Sequence, residues 1–157
     1  MKMKDFELEL FFGEYEFTAP YLLCCSDCES MPLDELLTFE PGAKDNFLKA
    51  IAVRHREKLF ARNRSIINEN LSYSDEFFKK HESVFQYNRP MARPIAFHRL
   101  KLNMSAKDFC EDLVKQKGVL LAYGALFEKE GNYFRMGYGR KNYKVCLDLL
   151  DEYVSAL

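Results

Sequence analysis

Residues 131–139 read Gly131-Asn132-Tyr133-Phe134-Arg135-Met136-Gly137-Tyr138-Gly139. Phe134, Met136 and Tyr138 alternate with Tyr133 and Arg135. A period of two marks a β-strand with one face in a core. Arg135 then falls on the less apolar face, and Gly137 and Gly139 leave the backbone beside it uncluttered. A guanidinium so placed can grip a carboxylate through two parallel hydrogen bonds. The plainer reading of the same residue is a surface or ion-paired arginine.

Outward from this strand, helix signals flank short apolar runs. Ser105 with Asp108 three residues on is a capping box. Phe109, Leu113 and Val114 form the inner face of the helix it opens, and Gly118 is a C-terminal stop. Val119–Ala122 reads as a compact buried strand. Beyond the glycines, Asn142 is placed to cap a last helix. Its Cys146, Leu149, Leu150, Tyr153, Val154 and Leu157 fall at helical spacing. On the other side, Val84–Tyr87 and Ile95–Lys101 are strand-like, with Ile95 and Phe97 alternating against Ala96 and His98. Pro90 and Pro94 bracket the connection between them.

From Asp45 to about His81 runs the longest segment without Pro or Gly. Phe47, Ile51, His55 and Leu59 recur every fourth residue, and Ile66, Ile67, Leu71, Phe77 and Phe78 continue the stripe. This predicts a long amphipathic helix with a bend around Ser72–Ser74. Ahead of it, Asp5–Glu16 reads as a short helix ended by Pro20, Ala19–Glu29 as a loop or short strand, and Leu33–Leu37 as a helical turn opened by Pro32. Pro41-Gly42 is strong punctuation, dividing an N-terminal arm, 1–44, from a main domain, 45–157. The order from residue 45 is helix, two strands, helix, two strands, helix. That predicts an α+β fold: a mostly antiparallel sheet with helices on one face, preceded by an arm.

Composition bounds the function. The chain has 157 residues, 48% hydrophobic and 30% charged, which excludes disorder and low complexity. Its net charge of −1 argues against a chain-wide nucleic-acid binder. The basic stretch Arg54–Arg64 offers a nucleic-acid patch as its sharp reading, but the rest of the chain is net acidic, which favours a solvated helix face or arginines paired with carboxylates elsewhere. Apolar runs are too short to span a bilayer, and Met1–Phe11 lacks the pattern of a secretory signal. Five cysteines with no targeting segment point to a reducing cytoplasm. Cys25 and Cys28 form a C-x-x-C beside Cys24, but no second ligand pair accompanies it, and His55, His81 and His98 are scattered. No metal site is expected. No phosphate loop, dinucleotide fingerprint, nucleophile elbow or zinc-protease motif occurs.

One family fits these residues. Gly118-Val119-Leu120-Leu121, Gly124-Ala125-Leu126-Phe127, Gly131 and Tyr133–Gly139, closed by the last helix, resemble the end of class I/II aminotransferases, which are fold type I pyridoxal-phosphate enzymes. Arg62–Ile67, Phe85, Arg89-Pro90 and Ile95-Ala96-Phe97 resemble the same family's small domain. Phe6–Glu16, Phe17–Leu23 and Ser26–Ser30 resemble the N-terminal arm of one subgroup, which packs by the active site and near the dimer interface. The resemblance implies the small-domain fold and a substrate-binding role for Arg135, on the α-carboxylate. Tyr123 departs from the pattern, in which proline commonly precedes the glycine at Gly124.

The resemblance also marks what the chain lacks. A pyridoxal-phosphate enzyme needs a Schiff-base lysine and an acidic partner for the pyridine nitrogen. In the family these belong to a large central domain, and here the arm runs into the small domain near Pro41–Asp45. Neither Lys44 nor Lys107 sits in the family's serine-lysine setting. No catalytic residue is therefore assigned, and pyridoxal phosphate is not expected to bind this chain alone. The expectation is a truncated or degenerate aminotransferase-like protein, inactive by itself. The alternative is a non-catalytic binding or interaction protein. Expected partners are the carboxylate of an amino acid or 2-oxo acid, and a second copy or a full-length relative; nucleic acid and membrane are not. A stand-alone ligand-binding or RNA-binding module is a third class, but the sheet lacks the paired aromatic signature of RNA-binding sheets.

Overall fold

The computed structural model describes residues 6–40, 53–92 and 94–157. The Pro41-Gly42 break and the first part of the expected long helix, 45–52, lie outside them.

The alternating strand is β6 (Tyr133–Gly137), and its whole length pairs antiparallel with Ile95–Arg99 of β3 (Ile95–Leu100). The register sets Phe97 opposite Arg135 and His98 opposite Phe134. Strands β2 (Phe85–Gln86) and β5 (Ala122–Tyr123) flank this pair, giving an antiparallel sheet in the order β2-β3-β6-β5. The compact strand expected over 119–122 is two strands. Its first half, β4 (Val119–Leu120), pairs in parallel with β1 (Tyr21–Leu22) of the arm, while β5 joins the main sheet. Both halves are fully or nearly buried, so hydrophobicity alone shows no seam between them.

Helices cover one face of the sheet, as expected. These are α3 (Arg56–Lys80), α4 (Ala106–Lys117) and α5 (Tyr143–Ser155); α1 (Glu7–Tyr15) and α2 (Leu33–Leu37) lie in the arm. The covered face presents His98, Leu100, Phe134 and Met136, each at most 2% exposed. Phe85 and Phe109 pack against Phe134 with centroids 5.5 and 5.8 Å away, and Tyr153 packs on Phe109 at 5.5 Å. Ile95 and Phe97 lie on the opposite, half-buried face. His98 takes the core side because its register partner is Phe134 and because both ring nitrogens find partners. The Asn88 amide donates to Nδ1 at 3.2 Å, and Nε2 lies 2.7 Å from the Tyr138 hydroxyl.

The caps follow local chemistry. Ser105 accepts from the Asp108 amide at 3.0 Å, and Gly118 closes α4 with φ of 68°, a conformation that disfavours a β-carbon. Asn142 stands at the start of α5 but makes no side-chain cap, and the last turn of that helix buries Val154 while Leu157 is exposed. Helix α3 stays helical through Ser72–Ser74. It buries two polar groups there. Asn70 donates to the carbonyls of Tyr138 and Arg140 at 2.9 and 2.8 Å, and Ser74 bonds the Tyr143 hydroxyl. These bonds tie the helix to the chain leaving β6, because an unmet carbonyl in the core would be costly. No helix among the described residues is long and apolar enough to cross a membrane.

Candidate functional site

Arg135 is the middle residue of β6, paired with Phe97 of β3 on one side and Ala122 of β5 on the other. It stands on the face that the helices leave uncovered and is half-buried. Two groups hold it. Nε donates to the Cys24 carbonyl at 3.1 Å, and the guanidinium carbon lies over the Phe127 ring, 4.1 Å from its centroid. Burial lowers its pKa, and the Cys24 and Cys25 thiols pull the other way; an arginine remains cationic throughout. Among the described residues no carboxylate pairs with it, and Nη1 and Nη2 donate to none of them.

The Cys24 carbonyl comes from the arm. Leu23 donates to the Leu120 carbonyl at 3.0 Å, and Gly137 donates to the Leu23 carbonyl at 2.8 Å. Further on, the Glu29 amide donates to the Gly139 carbonyl at 2.7 Å. The arm thus lies directly across the two glycines. A β-carbon on Gly137 would collide with the Cys25 carbonyl, and one on Gly139 would stand 2.6 Å from the Asp27 oxygen. Arginines clamp the same segment. Arg140 pairs with Asp27 at 2.8 Å, and Arg62 donates to the carbonyls of Glu29 and Ser30 at 2.9 and 3.3 Å.

Phe127 ends a 3-10 turn, Gly124–Phe127, that follows β5. Glu128 closes the turn in the left-handed region at φ 55°, and the Lys129 amide returns to the Gly124 carbonyl at 3.0 Å. Phe97 meets Phe127 edge-on, with centroids 5.7 Å apart. Tyr123, at the position where the family pattern has proline, is 9% exposed and packs on Phe11 of the arm at 5.3 Å.

Sequence reasoning singled out Arg135 but not what positions it. Cys24 contributes a carbonyl, which no side-chain pattern announces. Phe127 was visible only as part of the family-like run. Three arginines of the basic stretch pair with carboxylates, Arg54 with Glu40 at 2.6 Å, Arg56 with Glu57 at 3.5 Å and Arg62 with Glu35 at 3.6 Å, while Lys58 lies over the Phe39 ring and Arg64 donates to the Phe60 carbonyl. All five cysteines are free, and no described group of His, Cys, Asp and Glu is arranged for a metal ion. Cys24 is buried with its thiol pushed well up, mainly through its hydrogen bond to Cys25. The Cys25 thiol is pulled down to about 6 by that bond first and by Arg140 next, against its own burial.

No family model matches the sequence, and no curated protein matches it. Solved structures do. A PLP-dependent aminotransferase from Streptococcus suis is 30% identical, with a TM-score of 0.61, over 68% of this chain and 28% of that one. The chain shares the fold of the fold type I aminotransferases. Cystalysin from Treponema denticola matches at 16% identity and a TM-score of 0.61, over 69% of this chain and 29% of that one. An α-aminoadipate aminotransferase from Thermus thermophilus matches at 15% and 0.52, over 80% and 36%. The last two speak to fold alone. The chain spans 28% to 36% of the length of these three structures.

Pyridoxal phosphate is the cofactor of this fold family. The residues described here do not fit it. No serine precedes a lysine anywhere in the 157 residues. Lys80 sits on Asp151, Lys117 on Glu152, Lys144 on Asp148, and Lys107 and Lys115 beside Glu111. Lys129 lies over the Tyr133 ring at 4.6 Å. Among the described residues, none of these amines touches Arg135 or the groups that hold it. Among the described residues, Arg135 stands without a lysine beside it to tether the cofactor.

Proposed function

We propose that this chain is an aminotransferase-derived small domain, 45–157, with its arm, 1–44, and that it binds the carboxylate of an amino acid or 2-oxo acid at Arg135 without transaminating on its own. The observation that carries this reading is the state of the Arg135 fork. Its Nε edge is used by the Cys24 carbonyl and one face by Phe127, which leaves the Nη1–Nη2 edge as the one with no described partner. Two parallel N–H groups on that edge match the spacing of a carboxylate. Half-burial on a sheet lined by Phe97 and Phe127 lowers the local dielectric and strengthens the pairing over that of a fully solvated arginine. The free thiols fit a reducing compartment such as the cytoplasm.

Titration of the full chain with pyruvate tests the binding. Arg135→Gln keeps the bulk and removes the cation, so it is expected to abolish saturable binding; retention of wild-type affinity would overturn the assignment. Incubation with pyridoxal phosphate and borohydride tests the second half. Labelling of one lysine at full stoichiometry, together with turnover of an amino acid, would show an active enzyme instead.

A second reading rests on the uncovered sheet face, where Ile95, Phe97, Phe127 and Tyr133 are only partly buried. Here the face seats against a full-length relative. Sedimentation of the mixture distinguishes the two: a complex supports pairing, and a stable monomer in the presence of the relative counts against it.

A further inference from the structure

An arginine held at one nitrogen still has freedom in the plane of its fork. The Cys24 carbonyl fixes the direction of Nε–H, but rotation about that bond would swing Nη1 and Nη2 together. A second anchor on the face removes this freedom. Phe127 is that anchor, with the guanidinium carbon 4.1 Å from its ring centroid. The ring is itself held. Phe97 braces it edge-on, and the turn beneath it is closed by the left-handed Glu128 and by the Lys129–Gly124 bond. Gly124 keeps that turn close to β6, since a β-carbon there would stand 3.1 Å from the Tyr133 side chain.

We infer that Phe127 is a positioning residue for Arg135: its ring presets the fork so that the Nη1–Nη2 edge meets an incoming carboxylate without reorganisation. The inference rests on the carboxylate-binding reading above. Its physical basis is that a preset donor pair loses less side-chain entropy on binding than a free one. The ring acts through its π face, so an aliphatic side chain of similar bulk does not replace it, whereas another aromatic does.

The test uses the full chain labelled with 15N and pyruvate as probe, following the Arg135 Nε–H resonance and the dissociation constant. Phe127→Leu is expected to weaken pyruvate binding by about tenfold and to move the Arg135 resonance in the free protein as the ring's field is lost. Phe127→Tyr is expected to restore both, to within about twofold. Equal weakening by Leu and Tyr would reduce Phe127 to packing and overturn the inference. Loss of binding in Arg135→Gln with wild-type affinity in Phe127→Leu overturns the positioning role alone. Wild-type affinity in Arg135→Gln, or no binding by the unmodified chain, overturns the carboxylate reading and this inference with it. Thermal melting of each variant separates these outcomes from unfolding, and Phe127→Tyr keeps the test sharp if Leu destabilises the turn.

Discussion

The Cys25 carbonyl occupies the place that a β-carbon on Gly137 would take. The arm and the central strand are therefore in backbone contact, and the obstacle to a side chain is backbone that cannot rotate away. Gly137→Ala is expected to destabilise the fold by about 3 kcal/mol, at the upper end of overpacking costs. Urea denaturation followed by circular dichroism checks it. Gly13 is the control: it lies on the exposed side of α1 with nothing within 4 Å of an added β-carbon. Gly13→Ala is expected to stabilise by roughly 0.5–1 kcal/mol through helix propensity.

His98 makes stability depend on pH. Burial holds its pKa down at about 3, and the Asn88 amide on Nδ1 fixes the neutral form with the proton on Nε2 toward Tyr138. Unfolded, the same ring takes a proton near pH 6.5. Between those values the unfolded state binds more protons than the native one, so stability falls as pH falls from about 6.5 toward 3. The slope from this one group approaches about 1.4 kcal/mol per pH unit. His98→Asn is expected to lower stability at pH 7 and to flatten this slope. Denaturation midpoints from pH 4 to 7 measure both effects.

Asn70 joins α3 to the backbone just past β6 by donating to the Tyr138 and Arg140 carbonyls. Asn70→Leu keeps the volume and leaves the Tyr138 carbonyl unmet in the core, while the Arg140 carbonyl keeps the Tyr143 amide at 3.4 Å. A loss of about 1–3 kcal/mol is expected, from one unsatisfied buried carbonyl. Hydrogen exchange should show the added opening at 138–146 rather than in α1.

How much of this was legible in the sequence depended on how local the cause was. Ser105 with Asp108, and Gly118, act within a few residues, and their geometry is as the spacing predicts. Arg135 was placed on the open face by alternation alone. The division of 119–123 between two sheets was not legible, because both halves are buried and the second partner of the pair, β1, lies about a hundred residues upstream. Cys24 was hidden for a similar reason. What it offers Arg135 is a carbonyl, which every residue has, and only the fold brings those two positions together across 111 residues. Likewise, the sequence presents Gly137 and Gly139 as open backbone beside Arg135, and the arm fills that space.

The same arm carries the most reactive thiol expected of this chain. Cys25 is pulled down to about 6, first by the hydrogen bond from the Cys24 thiol and then by the Arg140 guanidinium. Cys28, raised by its burial and by Asp27, stays a thiol at neutral pH, and Cys110 is fully buried and inert. Iodoacetamide reacts with the thiolate, so its rate follows the ionised fraction. Alkylation at Cys25 is expected to rise through a midpoint near pH 6 and to be nearly flat from pH 7 to 8. Cys24→Ser keeps a donor and should hold the midpoint, whereas Cys24→Ala removes the largest stabilising contact and should shift it upward. Peptide mass spectrometry after timed alkylation reads the site and the rate together. A midpoint that ignores the Ser and Ala changes alike would mean that Arg140, not Cys24, sets the charge on this thiol.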